Sequence, residues 1–186
     1  LVGVIPKSIG NLSQLQIINL ENNMITGNLV SSIGNLTNLS EISFRNNTLI
    51  GRIPSSFGNL KNVWTLDMSN NLLVGPLPPK FAKLNMLFTL DLSNNPLEFT
   101  NLPNWIFTLG NITELNLANT GIKGQLPKQI SSPSTIFYLD LSKNELTGKL
   151  PLWVWNMMGN LNSLDLHSNN LSGPIDENIG NMPSMR

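Results

Sequence analysis

The chain has 186 residues, enough for one domain with a sizeable core. Its 11 Lys and Arg balance its 11 Asp and Glu, and only 12% of its residues are charged, so no net field draws it to nucleic acid or an anionic membrane. It has no Cys, so disulfides say nothing of its compartment, and no apolar run approaches the length of a membrane span.

Read in chain order, the sequence repeats itself. The apolar residues Leu15, Leu39, Val63, Leu87, Ile112, Ile136, Leu161 and Met185 stand 24, 24, 24, 25, 24, 25 and 24 residues apart. Three and five places after each anchor come further apolar residues, such as Ile18 and Leu20, Leu66 and Met68, or Leu139 and Leu141. Alternation at period 2 over a few residues predicts a short strand with one buried face. Eight places after the anchor stand Asn23, Asn47, Asn71, Asn95, Thr120, Asn144 and Asn169. A polar residue fixed inside an apolar coil must be satisfied, and an amide has two donors and an acceptor oxygen. The column therefore reads as a structural ladder of Asn23, Asn47, Asn71, Asn95, Asn144 and Asn169 bridging backbone groups of adjacent coils. Thr120 has a single hydroxyl, so its rung should be weaker.

Next comes an L-x-G-x-(I/L)-P phrase, with Gly27, Gly51, Gly75, Gly124 and Gly148 among its glycines and Pro54, Pro78, Pro103, Pro127 and Pro151 among its prolines. Gly allows a tight bend, and Pro fixes the chain direction. Ile9, Ile33, Phe57, Phe81, Ile106, Ile130, Val154 and Ile179 then bury the far side of each coil. A G-N-L-x-N-L phrase, as in Gly34-Asn35-Leu36-Thr37-Asn38-Leu39, leads to the next strand.

These residues resemble the plant-specific class of leucine-rich repeats, L-x-x-L-x-L-x-x-N-x-L-x-G-x-I-P-x-x-L-G-x-L, over essentially the whole chain. The resemblance implies an α/β repeat solenoid. This would be a right-handed superhelix with a concave parallel β-sheet, short helical turns outside and an extra lateral strand at L-x-G-x-I-P. The chain reads as one domain, 1–186, with a partial repeat over 1–14, full repeats starting at 15, 39, 63, 87, 112, 136 and 161, and a partial end from 185. Phe99 replaces the expected Gly with one residue inserted nearby, which predicts a bulge on the lateral side. Val30 and Asp176 replace Pro, Pro133 replaces an apolar residue, and a second insertion falls in Val154–Leu161. The family's cysteine-paired caps are missing, so the chain is expected to be an uncapped excerpt of a longer protein.

Strand alternation places the second, fourth, sixth and seventh residues after each anchor on the concave face. One column there reads Asp67, Asp91, Asn116, Asp140, Asp165. Carboxylates one strand apart oppose each other's ionisation and could serve acid–base chemistry or a hard cation. The structural reading is preferred, since L-D-L-S is consensus in this class and Asp can bond neighbouring Ser hydroxyls. The candidate partner-binding patch is Glu114, Tyr138, Asp140, Lys143, Asp165 and His167, where mixed charge surrounds an aromatic anchor. Trp64, Phe88 and Phe137, one place after the anchor, read as half-buried core or rim packing at the strand's starting edge, and Trp105, Trp153 and Trp155 read as packing on the outer leg.

Sequons at Asn11, Asn35, Asn38, Asn46, Asn111 and Asn170 are candidate glycosylation sites and point to an extracellular, cell-surface protein. The chain contains no catalytic motif, metal-ligand cluster or cofactor loop, so no enzyme, metal or cofactor is expected. What the resemblance implies is part of a receptor-like kinase or receptor-like protein ectodomain. It would bind a peptide or protein ligand, with a co-receptor as a further partner, and the membrane anchor would lie elsewhere in the parent. The second reading resembles the polygalacturonase-inhibiting proteins, which bind a cell-wall hydrolase. An ice- or polysaccharide-binding surface would want a regular Thr or Ser lattice, and the Ser column is too broken for one.

Overall fold

The computed structural model describes residues 1–128, 135–157, 161–175 and 177. Ile130, Pro133, Asp176, Ile179 and Met185 lie outside these, as do 158–160 of the second insertion. Three-residue strands Ile17–Asn19, Glu41–Ser43, Thr65–Asp67, Thr89–Asp91, Glu114–Asn116, Tyr138–Asp140 and Ser163–Asp165 form one seven-stranded parallel sheet, ordered as in the chain. Register repeats coil by coil, with Leu66 beside Ile42 and Leu90 beside Leu66. The fold is a leucine-rich repeat solenoid in which this sheet is the concave face.

The third and fifth residues after each anchor fill the core, Leu66 and Met68 being 1% and 0% exposed. The far wall is made by the single-turn 3-10 helices Lys7–Asn11, Ser31–Asn35, Ser55–Asn59, Pro79–Lys83 and Asn104–Thr108, and by the α-helix Leu152–Met157. Pro6, Pro54, Pro78 and Pro103 stand at the caps of four of these turns, their φ preset near the value the entry needs. Val30 takes the same extended conformation without a ring. A Cβ on Gly34 would lie 2.4 Å from the Ser56 carbonyl oxygen, so the glycine of the return phrase is there for close coil-to-coil approach.

Two lateral sheets follow the concave strands. The first comprises Val2–Val4, Met24–Asn28, Thr48–Gly51 and Leu72–Leu73; the second, Lys123–Gln125, Glu145–Lys149 and Asn170–Ser172. They are separated at the coil with Phe99. Where a bulge was expected, this coil has no lateral strand at all. Glu98 takes the positive φ of 52° one residue early, and Phe99 turns inward, 3% exposed. The Cα of Glu98 approaches Gly121, where a Cβ would sit 3.3 Å away.

The Asn ladder explains one recurring column of the chain's Asn residues. Asn71 Oδ1 accepts the Leu49 N–H at 3.0 Å, and its Nδ2 donates to Phe44, Met68 and Ser69 carbonyls at 2.9, 3.1 and 3.1 Å. Asn47, Asn95, Asn144 and Asn169 repeat the pattern. Asn23 donates to the Leu20 and Glu21 carbonyls. The Thr120 hydroxyl donates to Leu117 O, 2.8 Å away in its own coil, and lies 3.4 Å from Asn144 Oδ1 in the next coil. The donor an Asn there would have served, Leu97 N–H, bonds Asn95 O instead at 2.8 Å. The weak rung and the lost lateral strand are thus one local departure. A second Asn column stands just before the ladder. Asn22, Asn46, Asn70, Asn94 and Asn119 all have φ between 53° and 56°, a left-handed conformation Asn tolerates better than most residues.

Candidate functional site: the concave face

Residues two and four places after each anchor face outward from the strands, as in the half-buried Thr65 and Asp67 flanking the buried Leu66. Alternation fails two residues later. Ser69, Ser93 and Ser142, expected on the open face, are 2%, 5% and 2% exposed. The Asp two residues earlier folds over each of them. Asp67 Oδ1 accepts both the Ser69 N–H at 2.9 Å and its hydroxyl at 2.7 Å, while Asp91 and Asp140 accept the Ser93 and Ser142 N–H groups at 2.9 Å. One carboxylate oxygen of each Asp therefore closes the strand's end. The other faces the surface: Asp91 Oδ2 accepts from Asn116 at 3.1 Å and Asp140 Oδ2 from the Tyr138 hydroxyl at 3.3 Å.

Burial pushes the Asp91 carboxyl above its ordinary value of 3.8, against the lowering by Ser93, and the neighbouring Asp67 charge adds to the rise. Asp165 moves the other way. The His167 backbone N–H and imidazole bond its Oδ1 at 3.0 and 2.6 Å and hold the carboxyl below 3.8. Tyr138 is raised above 10.0, by burial first and then by the charge of Asp140.

Tyr138 stands beside Glu114 on one side and Ser163 on the other, and Asp140 beside Asp165. Lys143 N–H donates to the His167 carbonyl at 2.8 Å. Tyr138, Asp140, Lys143, Asp165 and His167 are thus brought together across two strands. Glu114 lies one strand away and accepts the Thr89 hydroxyl at 3.1 Å.

Charge segregates in a way a balanced total conceals. Glu21, Glu41, Asp67, Asp91, Glu114, Asp140 and Asp165 all occupy concave positions, and among Lys and Arg only Arg45 and Lys143 join them. The aromatics at the strand's starting edge are half-buried. Trp64, Phe88 and Phe137 are 50%, 38% and 52% exposed, and their open sides form a ledge. The residues at the same place in other coils, Gln16, Ser40, Thr113 and Asn162, are polar, and that was the available signal. The outer Trp residues do pack: Trp153 donates to Pro127 O at 2.6 Å and meets Phe107 at a tilt with ring centroids 4.8 Å apart, and Trp105 meets Phe81 edge-on at 6.4 Å.

All six sequon asparagines are exposed: Asn11, Asn35, Asn38, Asn46, Asn111 and Asn170. Among the described residues no group of three or more His, Cys, Asp and Glu is placed to hold a metal ion, and no helix is long and apolar enough to cross a membrane.

The Leucine Rich Repeat family model matches residues 14–36, 38–60, 62–84, 86–109, 135–157 and 160–182, well over half of the chain, and the chain belongs to this family. The matches skip the coil that carries Thr120. Among solved structures the chain is similar to a TDR receptor, with 31% identity, 98% of this chain and 31% of that one covered, and a TM-score of 0.92. It is also similar to the Arabidopsis receptor kinase HAESA, in a complex with the peptide hormone IDA and the co-receptor SERK1 (34% identity, 99% and 30% covered, TM-score 0.88). A third likeness is to the PEPR1–AtPEP1 structure (27% identity, 99% and 29% covered, TM-score 0.78). The chain thus spans about 30% of the length of these chains. Comparison with the curated protein sequences gave no match. The scaffold is of the kind that plant receptor ectodomains use for binding.

Proposed function

We propose that this chain is a ligand-binding segment of a plant cell-surface receptor ectodomain, and that a peptide or protein ligand docks on the concave face over Glu114, Tyr138, Asp140, Lys143, Asp165 and His167. The observation that carries this is a half-buried Tyr set among charged side chains on an open sheet, where the core needs none of them. Such amphipathic anchors supply contact area at small entropic cost. The likeness to HAESA, solved with a peptide hormone and a co-receptor, supports the class of ligand.

An extended peptide crossing parallel strands meets a new set of side chains at about every 4.8 Å, which gives many shallow subsites. Nothing in this arrangement supplies a nucleophile–base pair, so recognition is the chemistry proposed. The extracellular assignment rests on the exposed sequons. When the protein is secreted from insect cells, intact-mass analysis should show glycan increments that fall as Asn35, Asn38 and Asn111 are changed to Gln. An unmodified mass would contradict that assignment.

The binding test is selection of a random dodecapeptide display library on the secreted chain, with the Tyr138→Ala/His167→Ala variant as the control surface. The reading expects enriched peptides that the variant fails to retain. Equal retention by both would overturn the patch.

A further inference from the structure

Trp64, Phe88 and Phe137 form a ledge along the edge where the chain enters the concave strands. One backbone ladder fixes them: Phe88 N–H bonds Trp64 O at 2.8 Å, Thr113 N–H bonds Phe88 O at 2.8 Å, and Phe137 N–H bonds Thr113 O at 2.7 Å. At about 4.8 Å per coil the ledge runs roughly 14 Å, matching four or five residues of an extended chain at about 3.3 Å each. The fold does not require apolar groups there, because Gln16, Ser40 and Asn162 hold the same place in other coils. Half-exposed rings in one row are a surface kept apolar at a hydration cost.

The side of the sheet next to the ledge decides what fits on it. In the coils anchored at Val63, Leu87 and Ile112, the concave positions carry Asp67, Asp91 and Glu114 and neither Lys nor Arg. A neutral apolar segment would desolvate these carboxylates without supplying a counter-charge, and an acidic one would be repelled. A cation gains twice, from the carboxylates and from the electron-rich ring faces. Arg is favoured over Lys, because its planar guanidinium stacks on a ring while its donors meet a carboxylate.

We propose that the ledge and the acidic face beside it together take an extended, Arg-containing peptide, with side-chain cations lying between the rings of Trp64 and Phe88 and the carboxylates of Asp67, Asp91 and Glu114. This rests on the reading of the concave face as the ligand surface and adds to it the ligand's charge and a second subsite.

The test uses fluorescein-labelled octapeptides of alternating Arg and Gly, Ser and Gly, and Glu and Gly, titrated by anisotropy against the whole chain. The Arg probe is expected to bind, the Glu probe not. Binding should weaken about tenfold in Trp64→Ala/Phe88→Ala and stay unchanged in the lateral-sheet control Met24→Ala/Leu72→Ala. All four side chains are substantially exposed, so these variants should keep the parent's circular dichroism. Equal binding of the Glu probe, or an Arg probe indifferent to the ledge variant, overturns the proposal. If library peptides that depend on Tyr138 and His167 are neutral or acidic and ignore the ledge, the cationic assignment falls and the concave reading stands. If no probe binds and no peptide is selected, both fall.

Discussion

Asn71 and Asp67 stand four residues apart in one coil, each belongs to a polar column, and the two columns have opposite fates. Asn71 is 4% exposed and its amide meets backbone groups of its own coil and the preceding one. Asp67 spends one oxygen on Ser69, and its other oxygen has no protein donor among the described contacts. A column satisfied entirely by backbone is architecture. A carboxylate that caps the strand with one oxygen and holds the other toward the surface, as Asp67 does, has recognition capacity left over.

The largest expected effect follows from the first column. Asn71→Ala would leave the Leu49 N–H and the Phe44 carbonyl without their partner inside the core, at a cost on the order of 3 kcal/mol. Urea unfolding measures it, and a loss under about 1 kcal/mol would break the comparison. Thr120→Asn tests the same ladder from the other side. Leu97 N–H already has a partner, so restoring the consensus residue should gain at most about 1 kcal/mol.

Asp67→Asn should change stability by only about 0.5 kcal/mol, since the amide oxygen can still accept from Ser69. It should nevertheless reduce binding of a cationic probe.

The smallest effects are in pH dependence, where Asp165 and Asp91 should have opposite signs. The Asp165 carboxyl is held low, so its contribution is present near neutrality and is lost as pH falls from 3.8 through its folded value. Asp165→Asn should therefore be less stable than the parent at neutral pH, and the gap should close in acid. The Asp91 carboxyl is raised by burial, so ionisation opposes folding above its folded value. Asp91→Asn should be the more stable chain at neutral pH, and that gain should fade in acid. Thermal melts across pH 2 to 7 would show both.

The sequence made the solenoid legible because Leu66, Met68 and their equivalents answer to one requirement, burial, which recurs with the coil. The ladder was legible for the same reason, down to the weak rung at Thr120. Parity failed where the strand ends. Beyond Asp67 the chain turns through Asn70 at φ 55°, so Ser69 swings inward although counting by twos sends it out. At the other end, Trp64 precedes the strand and is half-buried, and the sequence did not show that its open side joins Phe88 and Phe137 in a ledge. The lost lateral strand was half legible. Phe99 signalled a disturbance, but Glu98 taking the positive φ and Gly121 making room for it involve two coils. Charge segregation was hidden because a total of 11 against 11 carries no positions.

The central claim, that the concave face and its aromatic ledge are the ligand surface, is tested most directly by hydroxyl-radical footprinting of the chain with and without a library-selected peptide. Peptide binding should slow oxidation at Trp64, Phe88 and Tyr138 and leave the lateral-sheet residues Met24 and Leu72 unchanged. Protection of Met24 and Leu72 with Trp64, Phe88 and Tyr138 unaffected would contradict it.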